Sequence, residues 1–155
     1  MKKRLVLFII SLNILLFGCS TANDTPETRS SLVRTSNPNP IAVNNKDEQL
    51  VEEIKKTALS NDGIYDVAVI KGEAKDCLVA IKVQHLKRFR LKKIEKQLMK
   101  ELQKQFKDLS FTVSSDFKIF LEAVRLNEKV EKENLSKEKK EKRLQEIIKL
   151  SREKT

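Results

Sequence analysis

Cys19 and Cys77 are the two thiols of the chain, and the residues before the first set it apart. Met1-Lys2-Lys3-Arg4 is a basic start, Leu5 to Phe17 is a nearly unbroken apolar run, and Leu16-Phe17-Gly18 leads into Cys19. A basic segment, a short apolar segment and a small residue at the cut form a secretory signal. The run is shorter than the roughly 20 apolar residues a membrane-spanning helix needs. A cysteine directly after the small residue gives that signal a second meaning. The other residues with chemical potential are poorly supplied with partners. His85 is the only histidine, and no Ser, Cys or carboxylate stands at a readable catalytic spacing from it. Cys77 falls on the apolar side of a strand-like run, where a thiol is a small buried hydrophobe. Asp62 and Asp66 flank Gly63, which points to turn chemistry and not to a paired acid and base. No catalytic residues, metal ligands or cofactor are therefore expected, and the chain reads as a non-enzyme.

The segment Leu16-Phe17-Gly18-Cys19 resembles the lipobox of bacterial lipoproteins, with Phe17 bulkier than the usual Ala, Ser or Val. The resemblance implies cleavage before Cys19, acylation of its thiol and often of the new amino terminus. Lipidation at Cys19 leaves Cys77 alone, so no intramolecular disulfide is expected despite export. Loss of Lys2, Lys3 and Arg4 with residues 1 to 18 leaves 29 basic and 22 acidic side chains, a balance of +7.

The clearest charge feature runs from His85 to Lys107, where nine Lys or Arg stand against Glu95 and Glu101. Lys92, Lys93, Lys96, Lys100 and Lys104 lie beside or opposite the apolar stripe Leu91, Ile94, Leu98, Leu102 and Phe106, so they project to solvent. They form a candidate anion-facing surface for phospholipid heads, wall polymer or an acidic protein. Each such cation near an anionic bilayer is worth on the order of 1 kcal/mol. Nucleic acid is excluded as a partner, because the signal directs export and no aromatic residues are interleaved for stacking.

The elements that position these residues come from periodicity. Residues 19–45, with Pro26, Pro38 and Pro40 and few apolar side chains, read as a disordered tether spanning roughly 30 Å. Asn45 and Glu48 have the spacing of a capping box, and Leu50, Val51, Ile54, Ala58 and Leu59 predict a helix ended by Asn61-Asp62-Gly63. Ile64 to Ile70 and Cys77 to Val83 predict a hairpin, Leu86 to Lys107 a long helix, and Leu109 to Ser114 a third strand. Ser115 is placed to cap a last helix carrying Phe117, Phe120, Leu121 and Val124. The expected fold is α+β over residues 46–127: a small three-stranded sheet with helices on one face, order α-β-β-α-β-α. Residues 128–155, with ten basic and seven acidic side chains, read as a solvated, partly helical tail interrupted at Asn134-Leu135-Ser136.

Val51 to about Asn127 resembles the sporulation lipoprotein family YhcN/YlaJ of endospore-forming bacteria. The match lies in the lipobox, the polar tether, Gly63-Ile64-Tyr65-Asp66-Val67-Ala68-Val69-Ile70, Leu78-Val79-Ala80-Ile81-Lys82-Val83, the Lys-rich helix and Phe111-Thr112-Val113-Ser114-Ser115-Asp116. The loop Lys71 to Asp76 and the charged tail depart from that compact pattern. The resemblance implies a BON-like element order and a role in spore assembly or germination, and it carries over no catalytic residue. The expectation is a lipid-anchored adaptor or structural protein on the extracytoplasmic face of the cell or spore membrane. The alternative is an anion-binding module that grips phospholipid or wall polymer through its basic helix.

Overall fold

The computed structural model describes residues 37–133 and 135–153, which all belong to one compact unit, 32–155. The expected signal segment, Cys19 and the first part of the expected tether lie outside the described residues. The strands are β1 (Ile41–Ala42), β2 (Ile64–Lys71), β3 (Asp76–Val83) and β4 (Ser110–Ser114). The helices are α1 (Glu48–Leu59), α2 (Leu91–Gln105), α3 (Phe117–Glu133) and α4 (Lys137–Glu153), with 3-10 turns at Asn45–Asp47 and His85–Arg90.

The class is α+β, with a mixed four-stranded sheet in the order β1-β2-β3-β4. β2 and β3 pair antiparallel as a hairpin, while β1 on β2 and β4 on β3 are parallel. Parallel neighbours need a crossover, and α1 and α2 supply the two.

The sheet is covered on both faces, which corrects the one-faced sheet expected from periodicity. Val67, Val69, Cys77, Val79, Ile81, Phe111 and Val113 meet α1 and α2 through Val51, Ile54, Ala58, Leu98 and Leu102. The alternate residues Ala68, Ile70, Leu78 and Ala80 meet α3 and α4 through Ile119, Phe120, Ala123, Leu144, Ile147 and Ile148. Strands buried on both faces read as near-continuous apolar runs, as Val67 to Ile70 and Cys77 to Ile81 do. Two uncovered apolar sheet faces cannot both stay in water, so the second face recruits what lies nearest in sequence.

Three sequence expectations change as a result. The element order is β-α-β-β-α-β-α-α, with four strands in place of three. Residues 128–155 are not a free solvated tail: α3 runs on to Glu133, and α4 buries Leu144, Ile147, Ile148 and Ser151. Gly72 makes room for that helix, since a Cβ there would stand 2.8 Å from Glu141 Oε2 and 3.0 Å from Leu144 Cδ2. Nor is the stretch 37–45 a tether. Ile41 and Ala42 pair with Ile70 and Lys71, and Val43 N–H donates to Lys71 O at 2.9 Å. The buried Lys55 ammonium donates to Pro38 O at 2.7 Å, which ties the proline segment to α1. Short apolar triplets such as Ile41-Ala42-Val43 carry no period, so the sheet edge alone makes this one a strand.

Local caps also differ from expectation. α1 starts after Asp47, whose carboxylate makes no cap bond and instead meets the buried Lys71 ammonium at 2.9 Å. α3 is capped by Asp116, not Ser115: Asp116 Oδ1 accepts from the Lys118 and Ile119 N–H groups at 2.7 and 3.2 Å.

Candidate functional site

The residues singled out for chemistry do not converge. Cys77 is fully buried against α1 and α2, and burial pushes its thiol up to about 12, so it is inert in the folded chain. His85 is exposed at the start of the 3-10 turn. Asp62 is exposed and ion-paired to Lys87. Asp66 is buried inside β2, where its carboxylate meets Lys82 at 3.1 Å and accepts from the Asn37 and Val67 N–H groups. It is a structural hub at a β-bulge and not the turn residue expected. The bulge between Ile64 and Asp66 keeps both Ile64 and Val67 in the same core and turns Tyr65 outward. Among the described residues no three His, Cys, Asp or Glu side chains converge to hold a metal.

Lys92, Lys93, Lys96, Lys100 and Lys104 are all exposed on α2, while Leu98 and Leu102 on its other face are buried. Lys92 pairs with Glu95 at 3.6 Å, and Glu95 is further engaged by the Ser115 N–H at 2.6 Å. Lys93, Lys96, Lys100 and Lys104 make no ion pair among the described residues. The five form a solvated cationic row along the helix and not a pocket.

The start of this helix departs from the sequence reading. Leu86 to Arg90 is not α-helix; His85–Arg90 is a 3-10 turn with no buried residue, and α2 begins at Leu91. Its anchors are the Gln84 N–H, which donates to Gly63 O at 2.8 Å, and Lys87, which lies across Gly63. Gly63 has φ +91°, a left-handed conformation that favours glycine. Lys87, Arg90 and Lys93 line a cleft of about 470 Å³ together with Asn61, Asp62 and Glu101. Periodicity missed this feature by extending the helix through it, yet a signal was present. Leu86 and Phe89 stand five and two residues before Leu91, so neither lies on the stripe, whereas the stripe positions 87 and 88 are Lys and Arg. A groove of about 640 Å³ lined by Asn39, Pro40, Glu48, Glu52, Asn127 and Lys140 sets one lysine against two glutamates and offers no anion site.

The two helices of the second face are held by a charged seam. Glu122 of α3 pairs with Arg125 at 2.8 Å and with Arg143 of α4. Arg143 also pairs with Glu146 at 2.8 Å; that hydrogen bond holds the guanidinium pKa up and the Glu146 carboxyl down. Glu141 accepts the Glu73 N–H at 2.8 Å, and Gln145 donates to Asp76 at 3.0 Å, so α4 also grips the hairpin loop. These groups are structural.

Comparison with protein-family models, with curated proteins and with solved structures finds no match.

Proposed function

We propose that the chain is a lipid-anchored envelope protein of a spore-forming bacterium, acting without catalysis as an adaptor or structural component in spore assembly or germination. The observation that carries the reading is Cys19 behind Met1–Gly18, with its lipobox spacing. The experiment is metabolic labelling with a palmitate analogue, followed through growth and sporulation. The wild-type chain is expected in the membrane fraction with label, with its expression rising in the developing spore. Cys19→Ala is expected to lose the label and leave that fraction. Mass spectrometry that finds an unmodified mature amino terminus at another residue overturns the anchor, and constant vegetative expression overturns the sporulation role.

A second reading is favoured by the exposed row on α2. The domain grips an anionic surface, phospholipid or wall polymer, through Lys92, Lys93, Lys96, Lys100 and Lys104. Exposed charges are screened over about 8 Å at physiological salt, so this binding fades as salt rises. Replacing Lys92, Lys93, Lys96 and Lys100 by Glu is expected to abolish sedimentation with anionic vesicles at low salt while the thermal transition stays in place. Unchanged sedimentation removes the row from function.

A further inference from the structure

Five large apolar side chains are exposed among the described residues: Leu59, Tyr65, Leu86, Phe89 and Phe117. The topology brings them all to one end of the sheet. α1 ends there at Leu59 and β2 starts there at Ile64, while β3 and β4 end there at Val83 and Ser114. Hydrogen bonds close this end: Gln84 N–H to Gly63 O at 2.8 Å, and Ser115 N–H to Glu95 at 2.6 Å. Single exposed leucines are ordinary, but Leu86 and Phe89 stand three residues apart in one 3-10 turn, a spacing that puts two side chains on the same face, and adjoining exposed apolar side chains mark an interaction surface. Leu86 is 83% exposed and Phe89 78%, the two highest values in the group.

Both stand in the 3-10 turn His85-Leu86-Lys87-Arg88-Phe89-Arg90, between cations. Lys92 and Lys93 follow in the first turn of α2, and Lys118 follows Phe117. The acidic groups at this end are engaged. Asp62 pairs with Lys87, Glu95 with Lys92 and the Ser115 N–H, and Asp66 with Lys82; Asp116 caps α3, and Glu101 accepts from the Asn61 side-chain amide at 2.9 Å. Arg90 rests over the Phe89 ring, 5.2 Å from its centroid, and leaves the rest of that ring in water.

We propose that this end of the domain docks on an anionic lipid bilayer, with Leu86 and Phe89 entering between the lipids and the surrounding cations meeting the phosphates. The two side chains supply what a purely polar anion lacks, an apolar layer beneath a charged surface. Amphipathic elements with basic flanks and Leu or Phe at the contact lie in that interface. Lys87 and Arg90 of the same turn line a cleft with Lys93, where three cations stand against Asp62 and Glu101 and leave a net positive site for a headgroup phosphate. Wall polymer would use the lysine row of α2 and leave Leu86 and Phe89 in water. The inference deepens the anion-gripping reading by choosing a bilayer as its surface, and it rests on that reading for its electrostatic part.

The chain contains no tryptophan, so Phe89→Trp introduces a single reporter. Residues 20–155, which lack the anchoring cysteine and retain the whole compact unit 32–155, are mixed with vesicles of phosphatidylglycerol or of phosphatidylcholine. With phosphatidylglycerol the emission is expected to shift to the blue and to be quenched by lipids brominated along the acyl chains; with phosphatidylcholine neither change is expected. Leu86→Ser and Phe89→Ser are each expected to weaken vesicle binding about tenfold or more, in line with removing one buried apolar side chain. Their thermal midpoints are expected to stay unchanged, because neither residue packs in the core. Sedimentation without quenching of the tryptophan overturns insertion and leaves the anion-gripping reading standing. Retention on an anionic wall polymer with no vesicle binding has the same consequence. Absence of binding to both removes the two readings together. Blue emission that grows with protein concentration in the absence of vesicles assigns the patch to a second copy of the chain and overturns the proposal.

Discussion

Both faces of the sheet are covered, by helices of very different legibility. On the first face, α1 and α2 present stripes of Leu, Ile and Val at helical spacing, with Val51, Ile54, Leu98 and Leu102 buried. On the second, α4 buries only Leu144, Ile147, Ile148 and Ser151, with Leu150 partly buried beside them, in a helix otherwise made of Lys, Arg, Glu and Gln. A narrow apolar seam on a charged helix suffices when the sheet offers Ala68, Ile70, Leu78 and Ala80 as its complement. Charge content therefore says how a helix meets water, not whether it belongs to the core.

The largest test of that comparison is truncation. A chain ending at Glu133 loses Leu144, Ile147 and Ile148, whose burial is worth about 1.5 to 3 kcal/mol each. The sum is comparable with the whole stability of a small domain, about 5 to 15 kcal/mol. This chain is expected to show no cooperative thermal transition and to bind a hydrophobic dye. A sharp transition close to that of the intact protein would return the last helix to the status of a solvated tail.

Next in size is the paired comparison of Leu102→Ala on the first face with Leu144→Ala on the second. Both side chains are fully buried, so each substitution is expected to destabilise by about 2 to 5 kcal/mol in urea unfolding. A Leu144→Ala loss under about 1 kcal/mol beside a full loss for Leu102→Ala would show the second face to be weakly packed.

A smaller effect follows from Cys77. Its pKa is raised on folding from 9.0 to about 12, chiefly by burial. The thiol thus contributes stability that is complete below pH 9 and is lost as pH rises toward 12. At pH 10, one unit above the lower value, the loss is about 1.4 kcal/mol, since each pH unit between the two values is worth about that much. Cys77→Ala is expected to flatten the alkaline limb of the stability profile. A thiol reagent at neutral pH is expected to label the wild-type chain only in denaturant.

The smallest expected effect is at the seam between α3 and α4. Glu122→Gln weakens the pairs with Arg125 and Arg143, whose side chains are well exposed. Screening limits the loss to about 0.5 to 1 kcal/mol, and the difference from wild type is expected to shrink at high salt. A salt-independent loss would point instead to the hydrogen bonds.

How much of the fold was legible follows from how local each signal is. The hairpin announces itself because Cys77, Val79 and Ile81 alternate, and the same strand shows Leu78 and Ala80 on its other side. That second apolar set was the sign of a second layer of helices, and the charge of residues 128–155 hid which segment formed it. β1 has two residues and no period, so its pairing with Ile70 and Lys71 is a product of the sheet edge. The cationic row of α2 was legible, because Lys92, Lys96, Lys100 and Lys104 are outward whenever Leu98 and Leu102 are inward. Leu86 and Phe89 were absorbed into the same helix although both fall off its apolar stripe, because the run of good helix formers outweighed that signal.

The sequence by itself determined the hairpin, the amphipathic crossover helices and the sign of the charge on α2. Those depend on composition and on spacings of two, three or four residues, which a chain carries without its partners. Tertiary structure alone decided that β1 exists, that α4 closes the second face, and that Leu86 and Phe89 stand in water between cations. Each of these outcomes depends on which apolar surface remains after the local elements have formed. A free sheet edge makes a strand of Ile41-Ala42, and an uncovered face of Ala68, Ile70, Leu78 and Ala80 draws in a helix with only a narrow seam to offer. Leu86 and Phe89 stay outside because the turn that carries them buries no residue and is tied to Gly63 through the Gln84 N–H and the Lys87 side chain.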